Sequence, residues 1–172
     1  DLFKLPAPKA APKKAGFDIE FVNPFLEATI SVVKAFGKTE AKRENLYLRA
    51  PNQPSGDISG VMPIDSPTYK GSFSVAFDEA CFCALATNLL NMPVSKITPE
   101  NQDVAGEICN QILGLAKKSL NALGHEIKQA LPKITVGKGH GVSHGVNGPC
   151  VAIKFSTSAG QFQIEAILVP VA

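Results

Sequence analysis

The chain has 172 residues, enough for one well-packed domain and short of the length at which a single core splits in two. Charged residues are 19% and hydrophobic ones 45%, which excludes a disordered tail or a charged coiled coil. Seventeen Lys and Arg against fifteen Asp and Glu leave a formal charge of +2, so no nucleic-acid partner is expected. No apolar run reaches the roughly 18 residues of a membrane span, and the first residues hold no signal-peptide core. A chain starting at Asp1 rather than Met is expected to come from a longer one. Cys81, Cys83, Cys109 and Cys150 fall in apolar, periodic stretches and do not form a disulfide pattern, which points to a reduced, cytoplasmic protein.

Residues 1–16 read as a linker or tail, with Pro6, Pro8 and Pro12 set among Ala and Lys, and a single folded domain is expected over 17–172. The first helix should open at Asn23-Pro24, a cap followed by proline, and close at Gly37. A strand follows around 45–48, then two more over 57–64 and 71–77, the latter alternating at period two. A helix over about 79–90 comes next. Thr98-Pro99-Glu100 is a second helix start, and that helix should run to Leu123 with Gly124 as its stop. Strands over 134–136, 151–155 and 162–168 complete the chain, the last two joined by a hairpin at Ser158-Ala159-Gly160. Helices and strands mix without strict βαβ alternation. This predicts an α+β fold, with helices packed on a largely antiparallel sheet.

The long helix from Pro99 carries the functional signal. At about 100° per residue, Val104, Ala105, Ile108, Cys109, Ile112, Leu113, Ala116 and Leu120 form one apolar face. Asp103, Glu107, Asn110 and Gly114 line up on the opposite face. Glu107 and Asn110 are one turn apart and can act on one object together. Asn is a poor mid-helix residue, and Gly114 costs about 1 kcal/mol relative to Ala, so neither serves the helix itself. A glycine there lets another molecule come close.

Asp103-x-x-x-Glu107-x-x-Asn110, with Pro132 beyond the helix end, resembles the signature of the CheC/CheX/FliY phosphatases of bacterial chemotaxis. Asn23-Pro24-Phe25-Leu26-Glu27-Ala28-Thr29, Gly56-Asp57-Ile58-Ser59-Gly60, Gly71-Ser72-Phe73-Ser74-Val75 and Val136-Gly137-Lys138-Gly139-His140 resemble segments of the CheX branch. The likeness extends from Phe17 to Val169. It implies a CheC-like fold. CheC-type members carry two such motifs, whereas here Ile30 stands three residues after Glu27. Glu20 and Asn23 have the right spacing, but a cap at Asn23 would take that pair off the helix face, and it is read as coincidence.

The resemblance implies a phosphatase that hydrolyses the aspartyl phosphate of a CheY-type response regulator in two-component signalling. Glu107 and Asn110 would be its working residues. Asn110 would position the attacking water, as a carboxamide can accept from water and donate to a phosphoryl oxygen without titrating. Glu107 would hold a lysine of the partner, with Asp103 and Gly114 adding partner contacts. No cofactor of the chain's own is expected, the phosphorylated partner supplying Mg2+. A homodimer is expected as well, because strands 151–155 and 162–168 are apolar enough to need a covered edge. The alternative is a non-catalytic module that binds receiver domains on the same fold. The stretch 137–145 is glycine-rich. It makes a poor phosphate cradle, since no helix follows it, and its His140 and His144 with Cys150 are too scattered to predict a metal site. A long connection between strands is the expectation there.

Overall fold

A computed structural model describes residues 18–128 and 130–171, so the expected linker over 1–16 lies outside the described residues. In chain order the elements are α1 (Ile19–Gly37), β1 (Lys42–Leu48), β2 (Gly56–Asp65), β3 (Tyr69–Phe77) and α2 (Glu79–Leu90). They continue with α3 (Asp103–Ala122), β4 (Lys133–His140), β5 (Val151–Thr157) and β6 (Gly160–Pro170). The six strands form one sheet in the order β1-β5-β6-β3-β2-β4, and every pairing is antiparallel. The three helices share a core with one face of that sheet, which is the expected α+β arrangement.

Period-two alternation decides which side chains meet the helices. Phe73, Val75 and Phe77 of β3 sit opposite Ala166, Ile164 and Phe162 of β6, and all six belong to the main core. Aromatic pairs fasten helix to sheet and strand to strand. Phe25 of α1 stacks on Phe73 with ring centroids 4.6 Å apart, and Phe155 stacks on Phe162 at 5.0 Å. Among the described residues, no helix is long and apolar enough to cross a membrane.

Three expectations are corrected here. The first helix does not open at Asn23. Asp18 is its cap, accepting from the backbone N–H groups of Glu20 and Phe21, and Pro24 lies inside the helix. Proline at that point removes the N–H that would bond to the Glu20 carbonyl, a loss that Phe21, Val22, Phe25 and Ala28 offset by burying one face. The cap is tied to the sheet as well, for Tyr69 Oη donates to Asp18 Oδ2 at 2.6 Å. At the other end the left-handed residue is Lys38, one beyond the expected Gly37.

The second correction concerns strand edges. β5 and β6 are interior strands, paired on both sides, while β1 and β4 are the open edges. The apolar character of β5 and β6 is explained within the chain and supplies no reason for a dimer. Third, only part of the glycine-rich stretch is a connection, because residues 137–140 are the end of β4, where the register with β2 shifts and His140 pairs with Gly56.

The sheet face away from the helices is buried too, but with polar groups. Residues 141–150 lie across it as a strap. Glu165 of β6 is fully buried there and takes five hydrogen-bonding contacts. Arg49 Nε donates to Oε1 at 2.8 Å, His144 Nε2 lies 2.9 Å from the same oxygen, and the Cys150 thiol is 3.5 Å away. Ser55 Oγ and Gln163 Nε2 donate to Oε2 at 2.5 and 2.8 Å. Burial alone would raise the Glu165 carboxyl, but the bonds from His144, Ser55 and Gln163 and the charge of Arg49 bring its pKa down to about 2.

Candidate active site

The site is built on α3, and the manner of its seating comes first. Regular helix starts at Asp103, four residues later than Pro99, because Thr98–Gln102 form a separate leading turn. Asn101 Oδ1 accepts from the Thr98 N–H at 2.9 Å, and Gln102 N–H bonds back to the Thr98 carbonyl. Asp103 thus stands in the first helical turn, where an acid is favoured by the helix dipole. The expected stop at Gly124 is present with φ of +90°. His125 N–H bonds to the Leu120 carbonyl and Gly124 N–H to that of Asn121, the paired bonds that close a helix on a left-handed glycine.

Between these ends Val104, Ala105, Ile108, Cys109, Ile112, Leu113, Ala116 and Leu120 are buried, as the projection predicts. Cys109 faces β2, where the opposing residue is Gly60. A Cβ built on Gly60 would stand only 2.1 Å from Cys109 Sγ. The helix can lie this close to the sheet because Gly60 has no side chain. Burial pushes the Cys109 thiol up to about 12, so the group is a packing atom and not a nucleophile.

On the other face Asp103, Glu107, Asn110 and Gly114 are all exposed. Among the described residues, no side-chain hydrogen bond or ion pair engages Glu107 or Asn110. A carboxylate and a carboxamide one turn apart therefore face solvent with their hydrogen-bonding capacity unspent. Gly114 follows a turn later in open space, where a Cβ would meet nothing within 4 Å. Pro132 immediately precedes β4. The structure thus gathers all four sequence-predicted site residues on one helix face.

The pair set aside on α1 is placed differently from the expectation. With the cap at Asp18, Glu20 and Asn23 are both helical and one turn apart, so their dismissal on the ground of a cap does not hold. Both are half-buried, in contrast to the α3 pair.

The histidines of the glycine-rich stretch separate. His140 Nε2 lies 2.6 Å from Ser59 Oγ and its Nδ1 2.7 Å from the Gly137 carbonyl, within β4 and β2. His144 joins Cys150, as the sequence allowed, and Glu165 takes the third place, with ligand-type atoms within 4.8 Å of one another. A guanidinium already neutralises that carboxylate and both its oxygens are filled, so the cluster fastens the strap to the sheet. Sequence reasoning missed Gly60 beneath the site and, on the other face of the sheet, a buried ion pair. Gly60 was legible only as part of a hairpin, since its partner Cys109 is 49 residues away. Arg49 and Glu165 lie 116 residues apart and carry no local signal.

Three helices on a six-stranded antiparallel sheet, with a carboxylate and a carboxamide displayed by the longest one, define a CheC-like protein. The model of the family described as chemotaxis phosphatase CheX matches residues 58–156, more than half of the chain. The chain belongs to the CheX family. Among solved structures it is similar to a CheC-like superfamily protein from Shewanella sp. PV-4, with 31% identity and a TM-score of 0.80 over 89% of this chain and 99% of that one. Chemotaxis protein CheX from Vibrio vulnificus is also 31% identical, with a TM-score of 0.78 over 87% and 99%. The CheX of a CheX–CheY–BeF3–Mg2+ complex from Borrelia burgdorferi is 18% identical, with a TM-score of 0.69 over 88% and 99%, a likeness of fold. No curated protein sequence matches significantly.

Proposed function

We propose that this chain hydrolyses the aspartyl phosphate of a CheY-type response regulator in chemotaxis signalling. The observation that carries the reading is the row Asp103–Glu107–Asn110 on the exposed face of α3, in a chain of the chemotaxis phosphatase family. An acyl phosphate is already reactive, so the task is chiefly to place water in line with the leaving carboxylate. Asn110 accepts a hydrogen bond from that water through its carbonyl oxygen and donates to a phosphoryl oxygen through its NH2. Water attacks phosphorus, the bond from phosphorus to the aspartyl oxygen breaks, and inorganic phosphate and the free carboxylate result. Glu107, one turn away, holds a lysine of the receiver and so fixes the register in which Asn110 enters its site. Asp103 adds a rim contact, and the gap at Gly114 leaves room for the partner backbone.

The receiver supplies the Mg2+ that screens the phosphoryl group. The presence of BeF3 and Mg2+ with CheX and CheY in the Borrelia burgdorferi complex is in keeping with this assignment. We read the expected homodimer as a second copy of the chain pairing along one of the open edges, β1 or β4. Leu46, Leu48 and Val136 are exposed there, and pairing would cover the unpaired backbone. A stable monomer by light scattering at micromolar concentration would remove that part.

The test is phosphate release from a phosphorylated CheY-type receiver. Asn110→Ala should abolish the acceleration while binding persists, and Glu107→Ala should chiefly raise KM. Wild-type protein that binds receivers without turnover would instead make the chain a binding module.

A further inference from the structure

The activity proposed above depends on how α3 is seated on the sheet, and one close contact lies directly beneath its site. Cys109 lies in the chain between Glu107 and Asn110, with its side chain inward and fully buried. It meets β2 where Gly60 stands opposite it. A Cβ on Gly60 would fall 2.1 Å from Cys109 Sγ, well inside the 3.4 Å at which ordinary contact begins. Gly60 is also buried and lies in the middle of β2, paired with Val75 on one side and Ile134 on the other. Neither neighbour pairing needs a glycine, and Gly60 has no left-handed φ, so backbone conformation does not call for one. Glycine in a strand interior is unfavourable unless something must come close. Here that something is the helix turn that carries the site.

We infer that Gly60 is a positioning residue for the proposed hydrolysis, its empty side-chain space receiving Cys109 and so fixing the height of Asn110 and Glu107 above the sheet. This rests on the reading of Asn110 as the residue that places water. A water-positioning group tolerates little displacement, since about 1 Å of misplacement can cost on the order of a hundredfold in rate. A side chain at Gly60 has to move the helix, or turn Cys109 into a core that is already filled. The same geometry specifies the remedy. Beyond Cys109 Sγ, the nearest atoms to a Cβ at position 60 are Ile134 Cδ1 at 3.3 Å and Cys109 Cβ at 3.4 Å. Removing the sulfur alone therefore opens space for one methyl group.

The experiment compares wild type, Gly60→Ala, Cys109→Ala and the double variant on a phosphorylated CheY-type receiver, well below each melting temperature. Gly60→Ala should lower kcat at least tenfold with the protein still folded by circular dichroism, and Cys109→Ala added to it should restore most of that loss. Cys109→Leu makes the same clash from the helix side and should lower kcat likewise, which covers the case of Gly60→Ala failing to fold. A folded Gly60→Ala with wild-type kcat and only a lower Tm would overturn the inference and leave Gly60 a packing residue. A kcat loss that the second substitution does not reverse would overturn it too. If wild type shows no turnover, the proposed function falls and this inference with it.

Discussion

The chain carries two Glu-x-x-Asn pairs on helices, Glu20/Asn23 on α1 and Glu107/Asn110 on α3, and they differ in almost everything except spacing. The α3 pair lies in the interior of its helix and is exposed. The α1 pair lies at the start of its helix and is half-buried. Four residues before Glu107 stands Asp103, whereas four before Glu20 stands Gly16. Seven residues after Glu107 is Gly114, with open space around it; seven after Glu20 is Glu27, whose carboxyl is raised by burial. Glu20 also has a local reason to exist, since an acid in the first turn complements the helix dipole. Glu107 has none. Spacing brings two side chains onto one face, and only the surroundings decide whether a partner can reach them.

The largest expected effect tests that contrast directly. Asn110→Ala should remove hydrolysis of the receiver phosphate almost entirely, and Glu107→Ala should act mostly through KM. Glu20→Ala and Asn23→Ala should each leave kcat within about twofold of wild type, a change worth less than about 0.5 kcal/mol in the barrier. Equal losses from the two pairs would break the comparison and make α1 a second site.

A variant that weakens the fold far from both helices separates loss of the site from loss of structure. Arg49→Leu leaves the Glu165 carboxylate buried without its cation and should cost about 3–5 kcal/mol in urea unfolding. Below its melting temperature its kcat should match wild type, because the pair lies on the sheet face opposite α3. The wild-type pair also sets an acid limit. The Glu165 pKa is depressed from 4.5 to about 2 in the fold, so its contribution is fully present above 4.5 and is lost as pH falls through about 2. The slope of stability between pH 4.5 and 2 should flatten in Glu165→Gln.

Much of this was legible in the sequence, for identifiable reasons. α3 could be projected from its 3.6-residue pattern, and Gly124 marked its end, because both signals are local. The hairpin at residues 158–160 was equally local. Asn23-Pro24 misled because a cap residue followed by proline is the usual start of a helix. The bonds from Glu20 and Phe21 to Asp18 form a local cap five residues earlier, and the tie from Asp18 to Tyr69 adds a tertiary contact that no local pattern announces. The apolar character of β5 and β6 marks them as strands but does not say whether they are edges, since pairing order is not written in any one strand. The seat of the site at Gly60 and the Arg49–Glu165 pair were illegible for the same reason: each joins positions far apart in the chain.

The smallest effect is the most discriminating for the α3 face. Gly114→Ala puts a methyl group where the chain itself has nothing within 4 Å, so it creates no internal clash. On helix propensity alone it should stabilise the protein by up to about 1 kcal/mol, readable as a shift in the urea midpoint at unchanged m-value. If the gap at Gly114 serves an approaching receiver, the same variant should raise KM by about threefold to tenfold while kcat holds. A protein that gains stability and loses affinity is one in which the glycine is there for the partner. Gained stability with unchanged KM would confine the working face to Asp103, Glu107 and Asn110, and would shorten the list of differences between the two pairs by one.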